Sequence, residues 1–207
     1  MIFVSDMFAE QYVGGAELTT EAIMSYAPSG YEIAKINSNA VNQSIIDENK
    51  DSKFIICNFA SLPEKSKIYF CKNANYDIVE YDYKICKYRS LKKHELAENK
   101  SCDCLEQYSG KINQAFYGYS KRVLFMSEGQ RQIFLSKLKT LKEENTHVIS
   151  SAFLTGDLDF IQSISNNEKN NTYLILGSGS WIKGTQDCID YAKDNNLEYE
   201  VIQGLPY

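Results

Sequence analysis

The chain has 207 residues, with 22 basic and 27 acidic side chains, a formal net charge of −5 and 43% apolar content. At ~100–200 residues per domain this is one large domain or two small ones, with enough apolar material for a globular core. The acidic balance excludes the basic field of a dedicated nucleic-acid binder. Apolar runs such as Phe54–Cys57 fall far short of the ~20 residues of a transmembrane segment, and Met1–Asp6 lacks the basic flank and long apolar stretch of a signal peptide.

In chain order, Ile2–Val4 is a short apolar run that enters a Gly-containing loop. A helical stripe follows from about Ala16, with Leu18, Ala22, Ile23 and Tyr26 on one side. Tyr31–Ile36, Lys53–Cys57, Ile68–Cys71 and Asp77–Tyr81 read as short buried strands. Residues 83–104 show no periodicity and read as a long excursion. Leu105, Tyr108, Ile112, Phe116 and Tyr119 then recur at helical spacing. Val123–Met126 is a strand, and Ser127-Glu-Gly-Gln130 matches a capping box opening a helix to about Lys137. His147–Ile149 is another strand, and Asp157 reads as the N-cap of a helix carrying Leu158, Ile161 and Ile164.

The run 166–171 is wholly polar and predicts a linker. Beyond it come a strand at 173–176, a Gly/Ser loop at 177–180, a helix at 185–195 and a strand at 198–202. Strands alternating with helices predict an α/β fold with a mostly parallel, Rossmann-like sheet. The expected organisation is a Rossmann-like domain over 1–165, a linker over 166–171 and an incomplete second βαβ lobe over 172–207.

Parallel sheets bind ligands beyond the carboxyl ends of their strands, where both Gly loops lie. Gly14 and Gly15 open the first helix beside Glu17. They form either a plain tight connection or a place where backbone N–H groups meet an anion. Gly177-Ser-Gly-Ser-Trp-Ile-Lys-Gly184 joins flexible glycines, two hydroxyls and Lys183 ahead of a helix. That makes a phosphate cradle or a plain turn with a solvated lysine. Neither loop fits a dinucleotide fingerprint or a Walker A motif. Glu80 and Asp82 follow the run Ile78–Val79. As surface acids they are solvated; as cleft residues they would orient or deprotonate an acceptor hydroxyl.

Gly14-Gly15-Ala16-Glu17, with Lys183-Gly184 after a Gly/Ser loop, resembles the retaining GT-B glycosyltransferases of the family 4 type. The tail from Tyr173 resembles the start of their nucleotide-sugar domain. The resemblance implies two facing Rossmann-like domains, a nucleotide-sugar donor and a hydroxyl acceptor that is a glycan, a lipid-linked molecule or a small molecule. It places Gly14, Gly15, Glu17, Gly179, Lys183 and Gly184 near the donor diphosphate. Gly179–Ile182 carries no arginine and Ile78–Tyr83 no histidine, where the family usually has both. Two Rossmann-like domains need roughly 300 residues. The chain alone is therefore expected to be an incomplete transferase, completed by a companion chain. The alternative is a non-catalytic half that binds acceptor or partner.

Six cysteines occur, and without a secretion signal the expectation is free thiols in a reducing cytoplasm. Cys86, Cys102 and Cys104 bracket His94, a set that can complete a tetrahedral structural zinc site; Cys71 is an alternative to His94. The competing reading is buried free thiols, and Cys57 and Cys188 are expected in the core.

Overall fold

Six short strands form one parallel sheet in the order β2-β1-β3-β4-β5-β6. They are β1 (Ile2–Ser5), β2 (Ala34–Asn37), β3 (Lys53–Ile56), β4 (Asn75–Glu80), β5 (Arg122–Phe125) and β6 (Thr146–Val148). The connecting helices are α1 (Gly15–Ser25), α2 (Gln43–Glu48), α3 (Glu64–Asn73), α4 (Leu91–Glu98), α5 (Tyr108–Tyr119) and α6 (Glu128–Lys137). The computed structural model describes residues 1–202. It divides into two compact units, Met1–Leu154 and Thr155–Tyr207.

A parallel sheet covered on both faces must be apolar on both, and alternate strand residues satisfy this. Ile2, Val4, Phe54, Ile56, Ile78 and Phe125 join Ile46, Phe70, Phe116 and Phe134 of four helices in one core. Phe3, Ile55 and Val79 join Met24 of α1 in the other. The first core is held by offset and edge-on aromatic pairs, such as Phe54–Phe70 at 5.1 Å and Tyr76–Phe116 at 4.9 Å between centroids. The Tyr76 hydroxyl donates to the Phe116 carbonyl at 2.6 Å, which ties β4 to α5.

The direction of strand addition reverses at β1, so the carboxyl ends of β1 and β3 form the topological switch point. Asp6 organises it: its carboxylate accepts from the backbone N–H of Ala60 at 3.0 Å and of Ser61 at 2.9 Å, and also from the Ser38 hydroxyl. The loops after β1, β2 and β3 thus converge on one carboxylate.

The second unit holds α7 (Thr155–Ile164), β7 (Tyr173–Leu176), α8 (Thr185–Asp194) and β8 (Tyr199–Ile202). β7 and β8 pair in parallel, Tyr173 opposite Tyr199 and Leu176 opposite Ile202. Residues 166–171 contain no helix or strand. α7, expected to close the first domain, falls within the second unit. Residues 203–207 of the expected lobe lie outside the described residues.

Several elements differ from expectation. Ile68–Cys71 is not a strand but the middle of α3; a four-residue apolar run does not separate a strand from a buried helical segment. The excursion 83–104 contains α4, begun by Ser90, whose hydroxyl accepts from Lys93 N, and ended by Asn99 in the left-handed conformation at φ 51°. Only His94 of that helix is buried, so no apolar stripe announces it. Asp157 lies in the first turn of α7, not at its N-cap. Leu18 and Tyr26 of α1 are exposed, while Glu17, Thr20 and Ala22 are buried. Cys57 is buried as expected, but Cys188 is exposed.

Gly110 of α5 packs against the Cys104 carbonyl, and a Cβ added there would also come within 2.7 Å of Leu105 Cα. Gly110→Ala should therefore push α5 off the preceding turn. The expected cost is ~1–3 kcal/mol, read as a lower urea midpoint at unchanged m value.

Candidate functional site

The excursion 83–104 is anchored to the core by Tyr83, Ile85 and Leu91, and it is also gathered around four polarisable groups. Cys86 follows β4, His94 lies on α4, and Cys102 and Cys104 lead into α5. One ligand atom from each falls within 4.8 Å of every other. His94 Nδ1 is 3.6 Å from Cys86 Sγ and 3.6 Å from Cys104 Sγ. A tetrahedron with metal–nitrogen bonds of about 2.0 Å and metal–sulfur bonds of about 2.3 Å has a nitrogen–sulfur edge of about 3.5 Å. The cluster therefore has the dimensions as well as the donor set of a Cys₃His metal site, and could hold a metal.

The surroundings fit as well. The Lys87 backbone N–H points to Cys104 Sγ at 3.4 Å, a donor that favours a thiolate. His94 Nε2 is buried without a hydrogen-bond partner and lies 3.8 Å from Asp103 Oδ1. Nδ1 is turned to the sulfurs, and a metal held there would leave the proton on Nε2, on the side of that carboxylate. Burial, with Cys86 and Cys104 beside it, pushes the Cys102 thiol up to about 12. Cys71 lies apart from the cluster, its sulfur 3.8 Å from the Tyr76 hydroxyl.

Beside this cluster, Glu80 ends β4 fully buried. Its carboxylate accepts from the Tyr117 hydroxyl, from Lys84 Nζ at 3.1 Å and from Asp82 N at 3.0 Å. Burial raises the Glu80 pKa, against the pull of Lys84. The same burial, reinforced by Glu80, raises the Tyr117 phenol. Lys84 also reaches Asp82 at 3.1 Å, and Asp82 pairs with Arg89. Burial works to raise the Asp82 pKa, but Lys84 and Arg89 outweigh it and hold the carboxyl below its usual range. Glu80 is thus sealed from solvent and cannot meet an acceptor hydroxyl, contrary to the expectation for a cleft-facing acid. Asp82, 22% exposed at its side chain, stays within reach of solvent.

The glycine loops lie in different units. Gly14 caps α1, and a Cβ there would fall 2.6 Å from Glu17 Oε2, so the glycine makes room for that buried carboxylate. Gly15 is open, with nothing near an added Cβ. In the second unit, Trp181–Lys183 forms a single 3₁₀ turn and Gly184 adopts φ +74° ahead of α8. The Thr185 hydroxyl accepts from Ser178 N at 3.0 Å and donates to the Leu176 carbonyl at 3.0 Å, which fixes the loop to β7. An added Cβ at Gly179 would meet nothing within 4 Å. Lys183 is exposed and makes no ion pair among the described residues.

No family model matches the sequence, and no curated protein is significantly similar to it. Among the described residues, no helix is long and apolar enough to cross a membrane.

Two outcomes follow from this geometry. Protein prepared without chelator should carry one equivalent of metal, lost in Cys86→Ser or Cys104→Ser, with a lower thermal midpoint after chelation; elemental analysis and melting curves check this. Lys84→Ala should cost ~3–5 kcal/mol by leaving the Glu80 carboxylate buried without its cation, read by denaturant unfolding, whereas exposed Lys183→Ala should leave stability unchanged within ~0.5 kcal/mol.

Proposed function

We propose that the protein is a glycosyltransferase-type enzyme that moves a sugar from a nucleotide-sugar donor to a hydroxyl acceptor, with a structural zinc at Cys86, His94, Cys102 and Cys104. The observation that carries the transfer reading is the loop from Gly177 to Gly184. A parallel strand ends in an open Gly/Ser turn, and an exposed lysine without a carboxylate partner stands at a helix N-terminus. Backbone N–H groups there favour an anion. Lys183 would neutralise charge on the departing diphosphate as the bond from anomeric carbon to phosphate oxygen breaks and the acceptor oxygen takes its place. In the first unit taken by itself, Asp82 is the acid at the carboxyl end of β4 that reaches solvent, where it would meet an acceptor hydroxyl.

Zinc fits the four donors because three thiolates and an imidazole are its soft-to-borderline preference. Four protein ligands close the coordination sphere, so the metal orders the segment and performs no chemistry. The free thiols suit a reducing compartment, and we place the protein in the cytoplasm on that ground. A second reading, a non-catalytic half that binds acceptor or a companion chain, draws on β7, which leaves Tyr173, Leu174 and Leu176 exposed.

Calorimetry with a panel of sugar nucleotides and free nucleoside diphosphates tests the reading. At least one should bind, and Lys183→Ala should weaken that binding about tenfold, or ~1.4 kcal/mol. Absence of binding by the whole panel rejects the donor site and leaves the second reading.

A further inference from the structure

Between α3 and the turn that carries Cys86 lies a cavity of about 190 Å³. Lys67, Lys84, Lys87 and Arg89 line it together with Phe59 and Asn113, and no acidic residue among the described residues does. It opens beyond the carboxyl ends of β3 and β4, where parallel sheets collect ligands. Three of its cations already have partners. Lys84 is held by Glu80 and Asp82, Arg89 by Asp82, and Lys87 by Glu98 at 2.8 Å.

Lys67 is the exception. It is 7% exposed and donates to Asn113 Oδ1 at 3.0 Å. Its Nζ stands 5.4 Å from the Phe59 ring centroid, with Lys84 Nζ 5.2 Å from the same ring. No carboxylate lies within 4.0 Å of it among the described residues. An ammonium has three N–H donors, so two are left for a ligand. Burial lowers its pKa, and the more distant carboxylates of Glu64 and Asp6 offset this only in part. Arg89, paired with Asp82, holds φ 54°, a conformation that costs free energy in a non-glycine residue and recurs at ligand sites.

We propose that this pocket binds the phosphoryl group of a phosphate monoester, with Lys67 as its principal counter-ion. Separate ammonium and guanidinium donors match the three terminal oxygens of a phosphoryl group better than the two of a carboxylate. The volume equals roughly six waters at ~30 Å³ each, enough for the phosphoryl group and the first atoms of its alcohol. All these residues belong to the first unit and the Lys183 loop to the second, so the assignment does not rest on the sugar-transfer reading.

The test uses the full metal-loaded chain, with Lys183→Ala as background to remove the other candidate anion loop. Titrations employ glycerol 3-phosphate and, separately, phosphatidylcholine vesicles containing phosphatidic acid. Binding of the soluble ester assigns a small-molecule ligand; binding of the vesicles alone assigns a lipid headgroup. In either case Lys67→Met should weaken binding about tenfold or more, and Lys67→Arg should retain it. Lys87→Glu, a change at an exposed side chain, should weaken binding similarly and serves if Lys67→Met does not fold. Failure of both probes to bind at ~10 mM, or unchanged affinity in folded Lys67→Met and Lys87→Glu, overturns the proposal. Neither outcome bears on nucleotide binding at Lys183, which is measured on the unsubstituted chain.

Discussion

The buried carboxylate of Glu80 is the constraint on which the carboxyl end of the sheet depends. An ionised acid taken out of water needs a counter-charge and full hydrogen bonding. Glu80 obtains them from three directions: Tyr117 on α5, Lys84 four residues on, and the backbone N–H of Asp82. These bonds fix where the chain goes as it leaves β4. It must fold back so that Lys84 reaches the carboxylate, and that reversal puts Cys86 beside α4 and turns Lys84 and Arg89 toward Asp82.

Each later feature inherits that geometry. Gln130 of α6 donates to the Asp82 carbonyl at 2.8 Å, and Asn113 of α5 donates to the Lys84 carbonyl at 3.1 Å, so two helices secure the turn by its backbone. The segment beyond is short of apolar anchors: of α4 only His94 is buried. Part of its order comes from the gathering of Cys86, His94, Cys102 and Cys104, whose ligand atoms lie within 4.8 Å of one another and could hold a metal. Gly110 completes the assembly from the other side, because only a residue without Cβ lets α5 approach the Cys104 carbonyl this closely.

How much of this the sequence discloses depends on the range of each signal. β1, β3, β5 and the capped start of α6 are local patterns of apolar runs and a Ser127–Gln130 cap, and the structure has them. α4 is written only in its Ser90 cap, since its faces are solvated. The Cys₃His set was legible from composition, although its spacing is irregular, because thiols close in sequence have few other ways to be satisfied. Lys67 was not legible. Its approach to the same Phe59 ring as Lys84 joins α3 to the end of β4, and no short-range pattern encodes that. Glu80 was visible as an acid after a strand, but whether such an acid faces solvent or is sealed depends on Tyr117, far along the chain.

The overall charge is equally uninformative about the local field. The formal net charge of −5 suggests a molecule that repels anions. Yet four cations gather at one cavity, and the carboxylates reaching them are Glu80, Asp82 and Glu98. Surface charges a Debye length away, ~8–10 Å at ordinary ionic strength, are screened, whereas groups in a partly desolvated cavity interact through a lower effective dielectric. The ammonium of Lys67 has no ion-pair partner and feels only the more distant Glu64 and Asp6, so it sets the potential inside the cavity more than the remote surface acids do. Glu80 and Asp82 together balance Lys84 and Arg89, and Glu98 balances Lys87. The positive excess at the cavity is therefore that of Lys67, set by where α3 places one side chain rather than by the composition of the chain.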